Sequence, residues 1–352
     1  MLYAYAGSRA LRNGSMVQKP LSLIIPCHNS AAFLQTCLDS VRRQTLGVEN
    51  MHVILVDDAS DDQGETLRML EAFREEFPDS VTLLPLEKNL KQGGARNRAL
   101  QHVDTEYLQF LDSDDWLDDN ACLNLLKIID GEHADLLLFG HEMEDDDFRI
   151  DLPDPGSRKI FLSSRAWNAN HSSKLYRTNL ILDHGIRFAE GRFFEEPLFV
   201  YPTFFYASSV VFARRRYYHL GERSDHTMSS AAQTHLMDHP AVQRELLSFL
   251  KSKGFLSLYH DEIEDYFLWT FFLETVLNAG VVKNSLSLDA FIRLQETCRE
   301  EFPDHTRNPY LPEHPKAVRE ILSGIDASFS SQEELDAFLR HAQTCYLALI
   351  NG

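Results

Sequence analysis

Three carboxylates follow a short apolar segment in the first third of the chain. Residues 107–111 read Tyr-Leu-Gln-Phe-Leu, which predicts a buried strand, and Asp112, Asp114 and Asp115 come directly after it. Crowded carboxylates repel one another and resist ionising together. Binding of Mg²⁺ or Mn²⁺ offsets this repulsion. Such a cation is typically coordinated by one or two carboxylates together with the phosphates of a substrate. The pattern indicates either this kind of metal site or an acidic turn that caps a helix starting near Leu117.

Strand and helix signals alternate along the chain before these acids. Strands are predicted at residues 21–26, 52–56, 81–84 and 107–111, and helices at residues 31–41, 65–76 and 95–100. Further strands are expected at residues 135–140 and 210–212, and the pattern becomes helical from about His235. This order predicts an α/β fold with a mostly parallel sheet and helices on both faces, followed by an α-helical C-terminal region.

Polar residues stand at the carboxyl ends of the first four predicted strands. They are His28 and Asn29, Asp57 and Asp58, residues 89–98, and residues 112–115. Ligands of such sheets bind beyond the carboxyl ends of the strands, so we expect these four groups to converge on one rim. The sequence has neither the glycine spacing of a dinucleotide-binding turn nor a P-loop, which argues against those two kinds of phosphate site.

Composition limits the partners of the chain. The 352 residues carry a formal net charge of −19, which argues against nucleic acid or an anionic membrane as a general partner. The five cysteines are scattered and have no C-x-x-C spacing, so we interpret them as reduced cytosolic thiols and expect neither a disulfide framework nor a zinc site.

No segment has the length of a membrane span. The densest apolar stretch, residues 266–273, is far shorter than the roughly 20 residues that a span needs, and acidic residues flank it. We expect it to be buried in a helical bundle, against the preceding domain, or in a partner. Residues 1–19 have no apolar core of a signal peptide and are predicted to be an N-terminal extension.

Four ordered motifs resemble those of the family 2 glycosyltransferases, inverting enzymes with the GT-A fold, a Rossmann-like sheet, many of which build bacterial surface polysaccharides. The matching segments are residues 23–29 (Leu-Ile-Ile-Pro-Cys-His-Asn), 56–61 (Val-Asp-Asp-Ala-Ser-Asp), Asn89 with 93–97 (Gly-Gly-Ala-Arg-Asn), and 111–116 (Leu-Asp-Ser-Asp-Asp-Trp). Weaker similarity continues at residues 174–177, 185–188 and 194–199, and ends by about Ser230.

The resemblance implies a division of labour along the chain. Residues 20–130 would bind a nucleotide-sugar donor, residues 131–232 would bind the acceptor, and residues 233–352 would form a separate helical domain. The residues implied to hold the donor are Pro26, His28, Asn29, Asp57, Asp58, Arg96, Asp112, Ser113 and Arg223.

Three of these donor residues have an alternative interpretation. His28 would lie against the nucleobase, where the family usually has Tyr, but it could instead be a helix-entry residue beside Asn29 and Ser30. Asp58 would accept a hydrogen bond from the base, expected to be uracil. Asp57 or Asp58 could instead cap the helix after Ser60.

The family's D-x-D pair corresponds to Asp112 and Asp114. The resemblance implies that Asp114 binds Mn²⁺ or Mg²⁺, that Asp112 is a second metal-site residue nearer the ribose, and that Asp115 is a supporting acid or a helix cap. Residues 223–229 resemble a loop over the donor diphosphate, in which Arg223 or His226 would meet phosphate or metal. A surface loop without a ligand is the alternative.

Glu195 and Glu196 form the second acidic centre, within an aromatic segment. Partial desolvation raises a carboxyl pKa and its basicity, which suits a general base. The family has Glu-Asp at this place, so Glu196 takes the position of the catalytic aspartate, and Glu195 is the second candidate. A solvated helix N-terminus with Pro197 in its first turn is the alternative interpretation.

Together these features predict a cytoplasmic inverting transferase, either free or at the inner face of the membrane. It would pass a sugar, expected from a UDP-linked donor, to a glycan or lipid-linked saccharide of the cell surface. Trp167, His171 and Lys174 stand where the acceptor could lie, and the C-terminal helices could join copies into a homo-oligomer. The rival hypotheses are a catalytically inactive sugar-nucleotide-binding subunit and a nucleotidyltransferase, although the basic glycine-rich loop of the latter is missing.

Overall fold

A computed structural model describes residues 19–140, 147–164, 170–221, 235–281 and 286–350. These residues form two compact units. The first contains residues 19–140, 147–151, 170–186 and 206–221, and the second contains residues 152–164, 187–205, 235–281 and 286–350. This division differs from the predicted boundaries, because residues of the expected acceptor half contribute to both units. The predicted extension at residues 1–19 lies outside the described residues except for Lys19.

The first unit is built on an eight-stranded sheet. Its strands and the strands of a separate two-stranded ribbon are β1 (Leu21–Cys27), β2 (Met51–Asp57), β3 (Val81–Pro85), β4 (Tyr107–Phe110), β5 (Trp116–Leu117), β6 (Leu136–Phe139), β7 (Phe148–Asp151), β8 (Lys174–Arg177), β9 (Ser209–Ala213) and β10 (Tyr218–His219). The sheet order is β3-β2-β1-β4-β8-β6-β9-β7, and β5 pairs with β10. The predicted mostly parallel sheet is confirmed, with antiparallel pairs where β8 meets β4 and β6 and where β7 meets β9.

Helices cover both faces of this sheet, as predicted. The helices of the first unit are α1 (Ala31–Arg42), α2 (Glu65–Glu76), α3 (Lys91–Leu100), α4 (Ala121–Gly131) and α6 (Thr178–Leu182), with a 3₁₀ turn at Val48–Asn50. Alternate β1 residues such as Leu23 and Ile25 share one core with Leu38 of α1 and Phe73 of α2. Helix α3 packs against β1 and β2 through residues such as Ala95 that are not part of that core, which places it on the opposite face.

The helix predicted near Leu117 begins later. Trp116 and Leu117 form strand β5, which pairs with Tyr218 and His219, and helix α4 starts only at Ala121. The expected acidic cap is therefore wrong, because residues 112–115 end several residues before the helix. A strand of two residues is specified by its distant partner, which local sequence patterns do not reveal.

The second unit is helical. Its helices are α5 (Pro155–Ser164), α7 (Pro197–Tyr206), α8 (Asp238–Ser252), α9 (Phe255–Leu258), α10 (His260–Phe267), α11 (Glu274–Val281), α12 (Leu288–Glu301), α13 (Lys316–Leu322) and α14 (Gln332–Ile350), with 3₁₀ turns at His305–Arg307, Leu311–Glu313 and Ser323–Ile325. The predicted α-helical C-terminal region is thus confirmed.

The apolar stretch at residues 266–273 is buried in this bundle. Its Leu268–Leu273 portion is a π-helical segment that joins α10 to α11 and packs against α8, α12 and α13, with Phe271 and Phe272 buried. Of the three predicted surroundings of this stretch, the helical bundle is therefore the observed one. Among the described residues, no helix is both long and apolar enough to cross a membrane.

Candidate functional site

The carboxyl ends of β1, β2 and β4 lie side by side at one edge of the first unit's sheet. Strands β1 and β2 run in parallel register, with Cys27 opposite Asp57, and the amide of Asp58 donates to the carbonyl of Cys27 at 2.8 Å. Strand β4 lies on the other side of β1, where the amide of Leu111 donates to the carbonyl of Ile24 at 2.9 Å. The loops carrying His28, Asp58 and Asp112 therefore start from one edge, as the sequence predicts.

Asn29 holds the first two of these loops together. Its side-chain amide donates to Asp61 Oδ1 at 2.6 Å, and the Asp61 amide donates to Asn29 Oδ1 at 2.9 Å. Asn29 has a φ of 50°, a left-handed conformation that Asn adopts more readily than most residues. The adjacent His28 is exposed, with Nδ1 2.9 Å from the carbonyl oxygen of Asp58. The imidazole is thus fixed at one edge while its surface remains accessible.

The two acids after β2 stabilise turns and do not cap α2. Asp57 Oδ1 accepts from the hydroxyl of Ser60 at 2.5 Å, and Asp58 Oδ1 accepts from the amide of Leu90 at 2.7 Å. The first turn of α2 is instead bonded by Asp62, whose Oδ2 accepts from the amide of Thr66 at 3.1 Å, so the capping alternative for Asp57 and Asp58 is wrong. Burial raises the pKa of Asp58, although the Leu90 amide opposes that shift.

Asp112, which is half-buried, forms a charge pair with the buried Arg96 of helix α3. Arg96 Nη2 donates to Asp112 Oδ1 at 2.7 Å, and His171 Nε2 lies 3.5 Å from the same oxygen. Loss of water opposes ionisation of Asp112, but the two cationic partners hold its pKa well below the ordinary value. Because the Arg96 side chain is 0% exposed, it cannot touch a nucleotide in this structure. The observed contact of Arg96 is with Asp112, and its contact with the donor stays a prediction.

Replacement of Arg96 by Met is expected to lower the free energy of unfolding by about 3–5 kcal/mol, because it leaves the Asp112 carboxylate without its buried partner. Chemical denaturation with far-UV circular dichroism measures this change. Arg98→Met is the matched control, since Arg98 lies on the exposed face of the same helix and its replacement should cost within about 0.5 kcal/mol. Equal losses in the two variants would contradict the assigned role of the Arg96–Asp112 pair.

Asp115, which follows β4, forms hydrogen bonds with a loop that is distant in the sequence. Its Oδ2 accepts from the hydroxyl of Tyr218 at 2.5 Å, and its Oδ1 accepts from the amide of Gly221 at 2.8 Å. The same Tyr218 hydroxyl lies 3.1 Å from the amide of Asp112, from which it can accept. Burial raises the pKa of Asp115 to about 6. Ser113, between the acids, is buried with its hydroxyl 2.8 Å from that of Ser30.

Gly221 lies so close to β4 that no other residue fits. A Cβ placed on Gly221 would lie 1.9 Å from the carbonyl oxygen of Asp114. We expect Gly221→Ala to displace this contact and to weaken donor binding about tenfold, since a shift of roughly 1 Å at a ligand site has large effects. Calorimetric titration with UDP measures the loss. Gly131→Ala is the control, because no heavy atom lies within 4 Å of its added Cβ. Unchanged affinity in Gly221→Ala would contradict the expectation.

The second acidic centre belongs to the second unit. The carbonyl of Glu196 accepts from the amides of Phe199 at 2.9 Å and Val200 at 2.8 Å, so Glu196 directly precedes helix α7 and Pro197 is its first residue. The side chain of Glu196 is half-buried, whereas Glu195 is buried and only 5% exposed. The predicted helix N-terminus is confirmed, and it places the more accessible of the two carboxylates at the residue predicted to be the base.

Comparison with known proteins assigns the chain to a family. A family model described as "Glycosyl transferase family 2" matches residues 22–216, which is more than half of the chain. The chain belongs to glycosyl transferase family 2. This family 2 chain is 30% identical over 218 residues to the poly(ribitol-phosphate) beta-N-acetylglucosaminyltransferase TarS of Staphylococcus aureus, a match that covers 60% of the chain and 37% of TarS. It is 24% identical to the putative glycosyltransferase EpsH of Bacillus subtilis over 70% of the chain and 73% of EpsH.

The fold agrees with that of solved TarS structures. The crystal structure of S. aureus TarS residues 1–349 in complex with UDP-GlcNAc superposes with a TM-score of 0.66 at 21% identity, and it covers 94% of this chain and 92% of that one. The fold class predicted from the sequence is thereby confirmed. The chain spans little more than a third of the full length of the curated TarS.

The acids after β4 carry the type of ligand atom that a hard divalent cation prefers. Both Asp115 oxygens are held by Tyr218 and Gly221, and Arg96 and His171 approach Oδ1 of Asp112. Asp114 is half-buried between these two committed acids. Carboxylate oxygens are the ligands that Mg²⁺ and Mn²⁺ prefer. The metal role predicted for Asp114, with Asp112 beside it, stays a prediction.

The remaining predicted residues are placed differently. Pro26 is buried within β1, where it lies opposite Val56. Lys174 is fully buried with its ammonium on the carbonyl of Asn170, so it is a core residue and not an acceptor contact. Arg223, His226 and Trp167 lie outside the described residues.

The sequence did not reveal the contacts that two residues make in the site. His171 reaches Asp112, and Tyr218 reaches Asp115. Each is far from its partner along the chain, and no spacing rule connects them.

Proposed function

We propose that this chain is an inverting glycosyltransferase that moves a sugar from a UDP-linked donor to a cell-surface glycan, with a polyol-phosphate polymer as the first acceptor class to test. The observation that carries the proposal is the row of acids beyond β2 and β4 in a family 2 chain. Support for the acceptor class comes from the names of the relatives, among which TarS is named as acting on poly(ribitol phosphate). Support for the donor class comes from the UDP-GlcNAc complex of TarS.

The first unit would hold the donor. His28 would stack on the base, Asp58 would accept from the base, and Asp112, positioned by Arg96 and His171, would lie near the ribose. Asp114 would be the main metal ligand. When bound, Mn²⁺ or Mg²⁺ supplies positive charge that balances the negative charge on the departing diphosphate. Arg223 and His226 are proposed to act on the same diphosphate.

The proposed reaction also needs a base. Inversion requires a carboxylate that takes the proton of the acceptor hydroxyl as its oxygen attacks the anomeric carbon from the side opposite the leaving group. We assign this role to Glu196, and Glu195 would support it from its buried position. All five cysteines are free thiols, which supports a cytoplasmic location for the reaction.

The alternative is a sugar-nucleotide-binding subunit without activity. The departure from the family that favours it is Glu196 itself, which is one methylene longer than the aspartate expected there. Such a subunit would keep the donor site of the first unit and lack a working base.

The test is a screen of UDP-sugars with the purified chain. UDP release is measured for UDP-GlcNAc, UDP-GalNAc, UDP-Glc and UDP-Gal, with Mn²⁺, with Mg²⁺ and with chelator, in the presence and absence of a poly(ribitol phosphate) acceptor. We expect metal-dependent release from one donor that rises at least tenfold with an acceptor. Binding of UDP without any release would support the inactive subunit, and diphosphate release from UTP and a sugar phosphate would support a nucleotidyltransferase.

A further inference from the structure

Three metal-ligating side chains of different chemistry meet on the surface of the second unit. Glu320 of helix α13 and His341 and Cys345 of helix α14 place a carboxylate oxygen, an imidazole nitrogen and a thiol sulfur within 4.8 Å of one another. His341 and Cys345 are four residues apart, a spacing that puts both side chains on one face of the helix.

The separation of these atoms fits a tetrahedral ion. Zn–S bonds of about 2.3 Å and Zn–N bonds of about 2.0–2.1 Å at tetrahedral angles put the two ligand atoms about 3.6 Å apart. Cys345 Sγ lies 3.4 Å from His341 Nε2. Glu320 is exposed, and the ammonium of Lys316, whose side chain is 84% exposed, lies 3.4 Å from its Oε1. A solvent-exposed pair of this kind contributes little and yields readily to a divalent cation.

Cys345 differs from the other four cysteines. Cys27, Cys37, Cys122 and Cys298 are buried, and burial raises the pKa of each of these thiols, which keeps them protonated and inert. Cys345 is partly exposed beside an imidazole, where a metal can reach it and displace its proton.

We propose that Glu320, His341 and Cys345 form a zinc site, with water as the fourth ligand, that ties helix α14 to helix α13. A thiolate and an imidazole favour Zn²⁺ over the Mg²⁺ or Mn²⁺ expected at Asp114, so the two sites would select different ions. The sequence expectation of no zinc site rested on C-x-x-C spacing, which cannot reveal ligands contributed by two helices.

A second cluster, His260, Asp261 and Glu264 on helix α10, is a weaker candidate. Asn308 Nδ2 already donates to Glu264 Oε2 at 2.6 Å, and the cluster has no thiolate to select zinc.

The test uses the reactivity of Cys345 as its readout, so its result is independent of sugar transfer. The tag-free, metal-depleted full chain is treated with a thiol reagent, and the rate of Cys345 modification is followed by peptide mass spectrometry. One equivalent of Zn²⁺ is expected to slow modification at least tenfold, Mg²⁺ and Mn²⁺ to leave it unchanged, and a chelator to restore it.

Variants identify the other ligands. His341→Ala and Glu320→Gln are each expected to reduce the protection by Zn²⁺ at least fivefold. His102→Ala and Glu313→Gln, which change exposed residues outside the cluster, should retain it. Absence of protection in the wild type, or equal protection in all four variants, would overturn the proposal, and circular dichroism confirms that each variant is folded.

Discussion

Replacement of Asp114 by Asn is expected to lower the rate of UDP-sugar turnover about 1000-fold, a change equivalent to about 4 kcal/mol in the activation free energy. The reason is that Asp114, a half-buried acid directly after β4, is proposed to bind the metal. An amide keeps the shape of the side chain but removes the charge that holds a cation. Steady-state release of UDP with Mn²⁺ measures the effect.

A control at the surface separates this effect from a general loss of acidic charge. Asp119 is exposed, with Arg43 Nε 3.0 Å away, and Asp119→Asn should change turnover less than about twofold. Both variants should have the melting temperature of the wild type within a few degrees. If Asp114→Asn keeps turnover within fivefold of the wild type, or if chelator does not reduce the wild-type rate, the metal role is removed from Asp114.

The second large effect is expected at Glu196. Glu196→Gln should lower the rate of transfer to the acceptor about 10²–10⁴-fold, because an amide cannot take the proton of the acceptor hydroxyl. Binding of UDP should remain within twofold, since Glu196 is not among the residues proposed to hold the donor. Single-turnover transfer measures the first quantity, and calorimetric titration measures the second.

Glu195→Gln is the matched comparison, one residue away. Glu195 is buried, so its replacement is expected to lower stability as well as activity, whereas Glu196→Gln should leave the free energy of unfolding within about 0.5 kcal/mol of the wild type. Loss of transfer in Glu195→Gln alone, with normal stability, would move the base to Glu195. Full activity in both variants would remove the base from this helix start.

Much of the fold was predictable because its signals are local. The helix predicted at residues 65–76 is observed at Glu65–Glu76, and the strand predicted at residues 21–26 is observed at Leu21–Cys27. Apolar periodicity and strand-ending polar residues depend only on neighbours in the sequence, so they identify elements well. The alternation of those elements then fixes the layered α/β architecture.

The parts that failed depend on distant pairings. Nothing local distinguishes Trp116 and Leu117 as a strand, since they pair with Tyr218 and His219. The same holds for strand β8, which enters the sheet antiparallel between β4 and β6. Which strands pair, and in which direction, is determined by packing in three dimensions.

The site shows the same limit. Its acids were visible in the sequence because they follow strands, but their division of labour was not. Arg96 is fully buried and holds Asp112, and Asp115 accepts hydrogen bonds from Tyr218 and Gly221. Both roles depend on contacts between residues far apart in the chain. The sequence could therefore locate these carboxylates without saying which partners hold Asp112 and Asp115.

The bonds from Asp115 also bear on how the molecule is made. Tyr218 and Gly221 reach Asp115 across 103 and 106 residues, and the intervening chain contributes residues 152–164 and 187–205 to the second unit. Closing so long a loop costs conformational entropy before any contact is gained. A ribosome-bound chain that has emerged only through β5 would carry the acids without Tyr218 and Gly221. We therefore expect the acidic edge to mature late in folding, after synthesis has passed residue 221.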